Sequence, residues 1–116
     1  MSGSEIWGKF LTSRGVSLEA LGLAERAVGR EDALRAVDLV KSVGGTILGG
    51  DVYLDEGGRI ESAYANWYSE RRDDESSESF ATRSCGESRT YISKYPNAPT
   101  GHVLFVLVVA IGERPV

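Results

Sequence analysis

Cysteine and histidine are scarce in this sequence, because Cys85 and His102 are the only residues of their kind among the 116. A single cysteine cannot form a disulfide within the chain, which suits a reducing compartment. The common zinc sites need three or four Cys, His or carboxylate ligands, so they are disfavoured. We therefore interpret Cys85 as a structural cysteine and His102 as a strand-boundary residue, and we expect neither a metal nor another cofactor.

Long hydrophobic segments are also missing. The longest apolar run, 103–111, has nine residues, whereas a helix that spans a membrane needs about 20. The N-terminal segment 1–5 lacks the basic and apolar regions of a secretory signal. These features predict a cytoplasmic protein with no membrane partner. The length and ordinary composition predict a single domain over residues 1–116.

Recognisable catalytic motifs are absent as well. The glycine-rich stretch 44–50 is not followed by Gly-Lys-Ser/Thr, so it is not a P-loop. It also follows a predicted helix, whereas a dinucleotide fingerprint lies between a strand and a helix. The glycines instead predict a helix stop and a bulge or close backbone approach within a strand. With no Gly-x-Ser-x-Gly elbow and no distinctive pair of carboxylates, we expect no enzymatic activity.

Acidic residues are concentrated in the middle of the chain. Residues 46–79 contain nine acidic and three basic side chains, while the whole chain has a net charge of −4. Such a negative field disfavours nucleic acid as a partner, because phosphate binding requires Lys and Arg. It favours a basic protein partner, although a merely solubilising surface would show the same asymmetry.

Hydrophobic periodicity predicts an α+β fold in which a small antiparallel or mixed sheet is covered by two or more helices. The predicted helices are 30–43 and 76–94, and the predicted strands are 46–54, 59–69 and 102–111. The last strand is apolar throughout, which is typical of a central strand that is buried on both faces. Residues 1–28 show a helical spacing of apolar side chains before Gly15, and residues 16–23 fit either a short strand or a turn.

Two of these strands form a predicted hairpin around Glu56-Gly57-Gly58. Alternation places Leu48, Val52 and Leu54 on one face of the first strand, and Asp51, Tyr53 and Asp55 on the other. In the second strand, Ile60, Tyr64 and Tyr68 share one face, while Ala63, Ala65 and Trp67 share the other. The hairpin therefore combines carboxylates with Tyr and Trp, which are frequent hot-spot residues in protein interfaces. Which aromatic side chains face solvent depends on the register.

Several motifs resemble the immunity protein 40 family of bacterial polymorphic-toxin systems. The most specific are Gly49-Gly50-Asp51-Val52-Tyr53 and Asn66-Trp67-Tyr68 on the hairpin. Arg30-Glu31-Asp32-Ala33-Leu34, Tyr91-Ile92 and Phe105-Val106-Leu107-Val108 support them in matching order, over roughly residues 16 to 109. The resemblance implies a small protein that binds and neutralises a toxin encoded beside it, without a cofactor or a reaction.

The acidic, aromatic hairpin and the connection after it are the candidate toxin-binding surface, which would cover a basic active surface of the toxin. The candidate contact residues are Asp51, Tyr53, Asp55, Glu56, Asn66, Trp67, Tyr68, Asp73, Asp74 and Glu75. Two other classes remain open at this point. One is a non-catalytic subunit of another bacterial complex, which would need an extended apolar patch; the other is a small hydrolase, which would need a pocket of convergent titratable groups.

Overall fold

The computed structural model describes residues 1–112, which form three α-helices, five strands and one 3-10 turn. In chain order these elements are α1 (Gly3–Arg14), β1 (Val16–Ser17), the 3-10 turn (Glu19–Leu21), β2 (Arg26–Gly29), α2 (Arg30–Ser42), β3 (Thr46–Glu56), β4 (Arg59–Tyr68), α3 (Ser77–Lys94) and β5 (His102–Ala110). The predicted α+β class is confirmed, and each of the five predicted elements is present.

The strands form one antiparallel sheet in the order β1-β2-β5-β3-β4. The apolar strand β5 lies between β2 and β3, so its predicted central position is confirmed. Phe105 in its middle is fully buried. Strand β1 lies in the segment 16–23, for which the sequence leaves a short strand or a turn open, and β2 has no counterpart among the predicted elements. Both strands extend the sheet on the side opposite the hairpin, and β4 is the outer strand at the other edge.

All three helices pack on one face of the sheet. Helix α2 buries Ala33, Val37 and Val40, which recur at helical spacing, and it has acidic residues in its first turn and Lys41 in its last. Helix α3 begins after Ser76, whose side chain accepts a hydrogen bond from the Ser79 amide at 3.1 Å. Side chains of α1 complete the cover by packing against the same core.

The inner face of α3 includes two serines that are fully buried, Ser84 and Ser88. Ser84 Oγ accepts a hydrogen bond from the Ile47 amide at 3.1 Å and donates to the Ala81 carbonyl at 3.0 Å. A buried hydroxyl is tolerated only when it is hydrogen-bonded, so these contacts fix where α3 lies on β3.

The other face of the sheet is covered only in part. Leu18 and Leu23, from the segment that follows β1, pack over Tyr53, Leu104 and Val106. This cover lies against the middle strands and leaves the β4 side exposed to solvent. One face of the sheet is therefore closed by helices, while the other is half open.

A one-residue bulge in β3 changes which side chains face the core. The pairing of β3 with β5 shifts between Ile47 and Gly49, so Leu48 is an extra residue in the ladder. Leu48 is 40% exposed, whereas Ile47 is fully buried. The prediction that Leu48 shares a face with Val52 and Leu54 is therefore wrong, because the bulge shifts the alternation by one residue.

A second irregularity lies in β4, where the register shifts between Val52 and Tyr53 of the partner strand. Val52 pairs with Ala65 and Tyr53 pairs with Ser62, so two residues of β4, at positions 63 and 64, are unpaired. Because the insertion has two residues, alternation stays in phase along β4. The predicted faces of this strand are confirmed.

Gly49 and Gly50 lie where the backbone of β3 passes closest to its neighbours. Gly49 has a φ of +155°, and a Cβ atom there would lie 2.2 Å from the Trp67 carbonyl oxygen. A Cβ atom on Gly50 would lie 2.3 Å from both the Trp67 ring and the Val106 carbonyl oxygen. The close backbone approach predicted for these glycines is confirmed, and it lets the Trp67 indole lie over β3.

Replacing Gly50 by alanine is expected to lower the free energy of unfolding by about 1–3 kcal/mol, because the added methyl group must displace the indole or the strand. Gly86→Ala is the matched control: its Cβ would meet no atom within 4 Å, and it should stabilise α3 by about 1 kcal/mol. Urea unfolding followed by circular dichroism measures both. A Gly50→Ala protein as stable as the wild type would contradict the close packing.

Candidate protein-binding surface

On the half-open face of the sheet, side chains of the three neighbouring strands β4, β3 and β5 lie side by side. Gly49 pairs with both Tyr68 and Val108, and Asp51 pairs with both Asn66 and Val106. Directly paired residues in an antiparallel sheet project on the same face. We define the open face as Asp51, Tyr64, Asn66, Tyr68 and Val108. It contains three of the predicted contact residues.

Exposed aromatic side chains dominate this open face. Tyr68 is 75% exposed and Tyr64 is 95% exposed, and Val108 beside them is 44% exposed. Tyr64 also has a φ of +54°, in the left-handed region that bulky residues seldom adopt. Its amide donates a hydrogen bond to Ser62 Oγ at 3.0 Å, which supports the strained conformation. Backbone strain of this kind costs about 1–3 kcal/mol and concentrates at functional sites.

Tyr53 lies between the open face and the covered part of the sheet. It is 8% exposed. The pKa of its phenol is raised by burial first, and then by the negative charges of Asp51 and Glu25. The two carboxylates therefore approach the same ring, although they are 26 positions apart in the sequence. The predicted contact residue Tyr53 is a buried support for the acidic surface and is not itself exposed.

Trp67 is a core residue, on the helix side of the sheet. It is 9% exposed. Its indole Nε1 donates a hydrogen bond to Ser88 Oγ at 3.0 Å, and its ring stacks on Tyr91 with centroids 4.6 Å apart. A buried indole N–H requires such a partner. Trp67 therefore ties β4 to α3, and its chemistry is that of packing.

Asp55 and Glu56 lie at the end of the hairpin and make contacts within the chain. Asp55 is half-buried, and its Oδ1 accepts a hydrogen bond from the Gly58 amide at 2.9 Å, which closes the turn. Exposed Glu56 accepts a hydrogen bond from Thr100 Oγ1 at 3.0 Å. Both carboxylates contribute negative charge at this end while they hold the local structure.

The three acids after the hairpin have different environments. Asp73 and Asp74 are exposed at a turn. The Glu75 side chain is only 10% exposed and accepts a bidentate pair of hydrogen bonds from Arg83, at 2.7 and 2.8 Å. These bonds, and a further one from the Arg72 amide, lower the pKa of the Glu75 carboxyl to about 2. Glu75 is a predicted contact residue, and such a residue is expected to be exposed; this expectation is wrong, because Arg83 holds the carboxylate against α3.

Acidic and basic residues are segregated by the fold. Segment 16–25, β3 and β5 contain no lysine or arginine, but they contain Glu19, Glu25, Asp51, Asp55 and Glu56. The basic side chains of the sheet are turned to local partners: Arg26 donates to the carbonyls of α1 and Gly15, and Arg59 pairs with Glu61. Most other basic residues are on the helices. Segment 16–25, β3 and β5 therefore carry carboxylates but no lysine or arginine, and the open face combines one of these carboxylates, Asp51, with exposed aromatic side chains.

Sequence reasoning missed three features of this surface. Strand alternation predicts the correct face for Tyr64, but the exposure of its side chain follows from a bulge that no sequence pattern indicates. Val108 belongs to an apolar run that predicts a strand buried on both faces. Glu25 lies in a segment whose structure could not be assigned. Only the pairing of distant strands brings these residues together.

In the comparison with known protein families, residues 17–109 match immunity protein 40. The chain belongs to the immunity protein 40 family. Membership of this family indicates an immunity protein of a toxin system, and such proteins generally act by binding. No curated protein and no solved structure matches the chain significantly.

The part that matches the immunity protein 40 family contains the whole sheet apart from the first residue of β1 and the last residue of β5. It also contains α2 and α3, whereas α1 precedes it. Within residues 1–112, no helix is long and apolar enough to cross a membrane, and no group of His, Cys, Asp or Glu has a metal-binding arrangement. The open face lies entirely inside the family match.

The different positions of Trp67 and Tyr68 predict opposite effects of truncation. Trp67→Ala should lower the free energy of unfolding by about 3–5 kcal/mol, since it leaves a large cavity between β4 and α3. Tyr68→Ala should change it by no more than about 0.5 kcal/mol, because the ring is exposed. Thermal unfolding of the two variants measures this difference. Equal losses would place both rings in the core.

The Glu75–Arg83 pair predicts a pH-dependent contribution to stability. The folded-state pKa of Glu75 is about 2, below the value of about 4.3 in an unfolded chain. The pair therefore stabilises the protein fully above the unfolded value, and this stabilisation is lost as the pH falls towards the folded value.

Glu75→Gln should accordingly be less stable than the wild type at neutral pH, and the gap should narrow between about pH 5 and about pH 2. Thermal unfolding over that range gives the gap, with Asp73→Asn as the control for removal of a charge from the same segment. A gap that is constant with pH would show that the ion pair does not stabilise the fold.

Proposed function

We propose that this protein neutralises a cognate toxin by covering a basic active or substrate-binding surface of the toxin with its open face. The observation that supports the proposal is that the exposed side chains of Tyr64 and Tyr68 share the open face with Asp51. Exposed tyrosines lie among carboxylates on strands that contain no basic residue apart from the paired Arg59. The protein acts by binding, without a reaction or a cofactor, in the cytoplasm of the cell that produces the toxin.

The two kinds of side chain have different roles in this mechanism. Carboxylates at the rim of an interface raise the association rate, because they attract a basic partner over about a Debye length. Aromatic anchors that become desolvated slow dissociation, and they commonly cost about 2 kcal/mol or more on truncation. Asp51 supplies the first effect, while Tyr64 and Tyr68 supply the second.

The remaining predicted contact residues divide by their exposure. Asn66 lies on the open face beside Asp51 and provides an amide for hydrogen bonds to the toxin. Asp73 and Asp74 are exposed and extend the negative field along the connection that follows β4. Tyr53, Trp67 and Glu75 support this surface from within. Asp55 and Glu56 hold the hairpin end and add charge there.

Co-expression tests the function itself. The reading frame beside this gene, expressed alone, should arrest bacterial growth, and co-expression of this protein should restore it. Purified proteins from the two genes should form a complex. Unimpaired growth with the neighbouring product alone, or arrest that this protein does not relieve, would contradict the proposal.

Charge reversal tests the proposed surface. Asp51→Lys should lower the association rate constant for the toxin several-fold at an ionic strength of about 0.1 M, and Asp51→Asn should lower it less. The difference from the wild type should shrink towards about 1 M salt, where the Debye length is only about 3 Å. Stopped-flow or surface plasmon resonance measurements give the rates.

Glu31→Lys is the matched control for Asp51→Lys. It changes the net charge equally, but Glu31 lies in the first turn of α2, on the helix side of the sheet. Circular dichroism verifies that each variant is folded. If both reversals slow association alike, only net charge matters; if neither does, the open face is not the contact surface.

A further inference from the structure

A groove of about 980 Å³ runs along α3 beside the end of β4. Trp67 and Tyr91, which stack on each other, lie at its base with Tyr95, so its floor is aromatic. Tyr68 also lines this groove. Since Tyr68 belongs to the open face as well, the groove and the open face are continuous around the edge of the sheet.

The strand edge beside this groove is unpaired. Strand β4 is the outer strand, and no other strand within residues 1–112 bonds to its outer side. Alternate residues of such an edge direct their N–H and C=O groups outward, where a further strand could pair with them. The bulge at positions 63 and 64 divides the edge into two regular stretches, residues 59–62 and residues 65–69, and the Ser69 amide continues the second stretch by bonding to the Leu48 carbonyl. The second stretch is the one beside the groove.

Gly86 lies within α3 and lines the groove, and a Cβ atom at this position would meet no atom within 4 Å. The packing of α3 therefore leaves room for a side chain at this position. A methyl group there would leave most of the groove accessible, whereas a large aromatic side chain would occupy part of it.

Opposite charges lie along the α3 side of the groove. Glu87, whose side chain is 47% exposed, and Lys94 both line it. They are seven residues apart on one helix face, or roughly 10 Å along the axis. About three residues of an extended chain cover that length. Glu87 is already paired with Arg83, which lines the groove as well, and accepts a hydrogen bond from Ser69. An extended segment with an acidic side chain near Lys94 would complement the remaining positive charge.

We propose that this groove and the outer edge of β4 together receive an extended segment of the cognate toxin, which pairs with residues 65–69 and inserts an apolar or aromatic side chain over Trp67 and Tyr91. Strand addition supplies backbone hydrogen bonds, and the pocket supplies specificity. The inference rests on the proposed function, because it names the toxin as the occupant. Continuity through Tyr68 lets one partner contact the open face and the groove together.

Filling the groove tests this proposal. Gly86→Trp should lower the affinity for the purified product of the neighbouring reading frame at least tenfold, whereas Gly86→Ala should bind like the wild type. Both variants should fold, since the site has room and lies on a helix, and thermal unfolding verifies this. Hydrogen exchange of the wild-type complex should show new protection of amides within residues 65–69.

The outcomes separate this inference from the proposed function. If Asp51→Lys weakens binding while Gly86→Trp does not, or if the amides of residues 65–69 stay unprotected, the groove proposal is overturned. The open face then remains the proposed contact surface. If the wild type does not bind the neighbouring product, both fail. If the wild type is a dimer in sedimentation and Gly86→Trp is a monomer, the occupant is a second copy of this chain, which also overturns the proposal.

Discussion

The contact between Trp67 and the glycines of β3 is the constraint on which the rest of this structure depends. The indole lies over Gly50, where even a methyl group would collide with it. The same ring is hydrogen-bonded to Ser88 and stacked on Tyr91, both from α3. One side chain thus links the outer strand, the central sheet and the long helix. Because Trp67 points inward, strand alternation directs Asn66 and Tyr68 outward, so packing determines which side chains of β4 are exposed.

The open face lies where the fold is least complete. The helices close one face of the sheet, while the short segment after β1 covers only part of the other. What remains open includes a strained tyrosine, exposed aromatic rings and an unpaired strand edge. Each of these features costs stability in the free protein, through backbone strain or exposed apolar surface. A partner that covers them recovers part of that cost, which suits a protein whose family acts by binding toxins.

Charge segregation follows from topology. Strands β3 and β5 are distant in the sequence, yet they are neighbours in the sheet, and neither contains a lysine or an arginine. The helices carry most of the basic residues, and several of these are neutralised locally, as Arg83 is by Glu75 and Glu87. The small net charge of −4 therefore conceals an uneven distribution, in which these two strands carry carboxylates and the helices carry most of the basic side chains.

Local patterns in the sequence determined α2, α3 and the three long strands, because periodicity and terminal signals act over a few residues. The family resemblance was also visible there, in motifs around Gly50 and Trp67. Only the tertiary structure decided the exposure of individual side chains. The one-residue bulge at Leu48 reverses a face, whereas the two-residue bulge before Ala65 does not. Likewise, Glu75 lies in a charged, polar segment, and its side chain is mostly buried only because it pairs with Arg83. Bulges and ion pairs depend on neighbours that are remote in sequence, and local alternation carries no information about them.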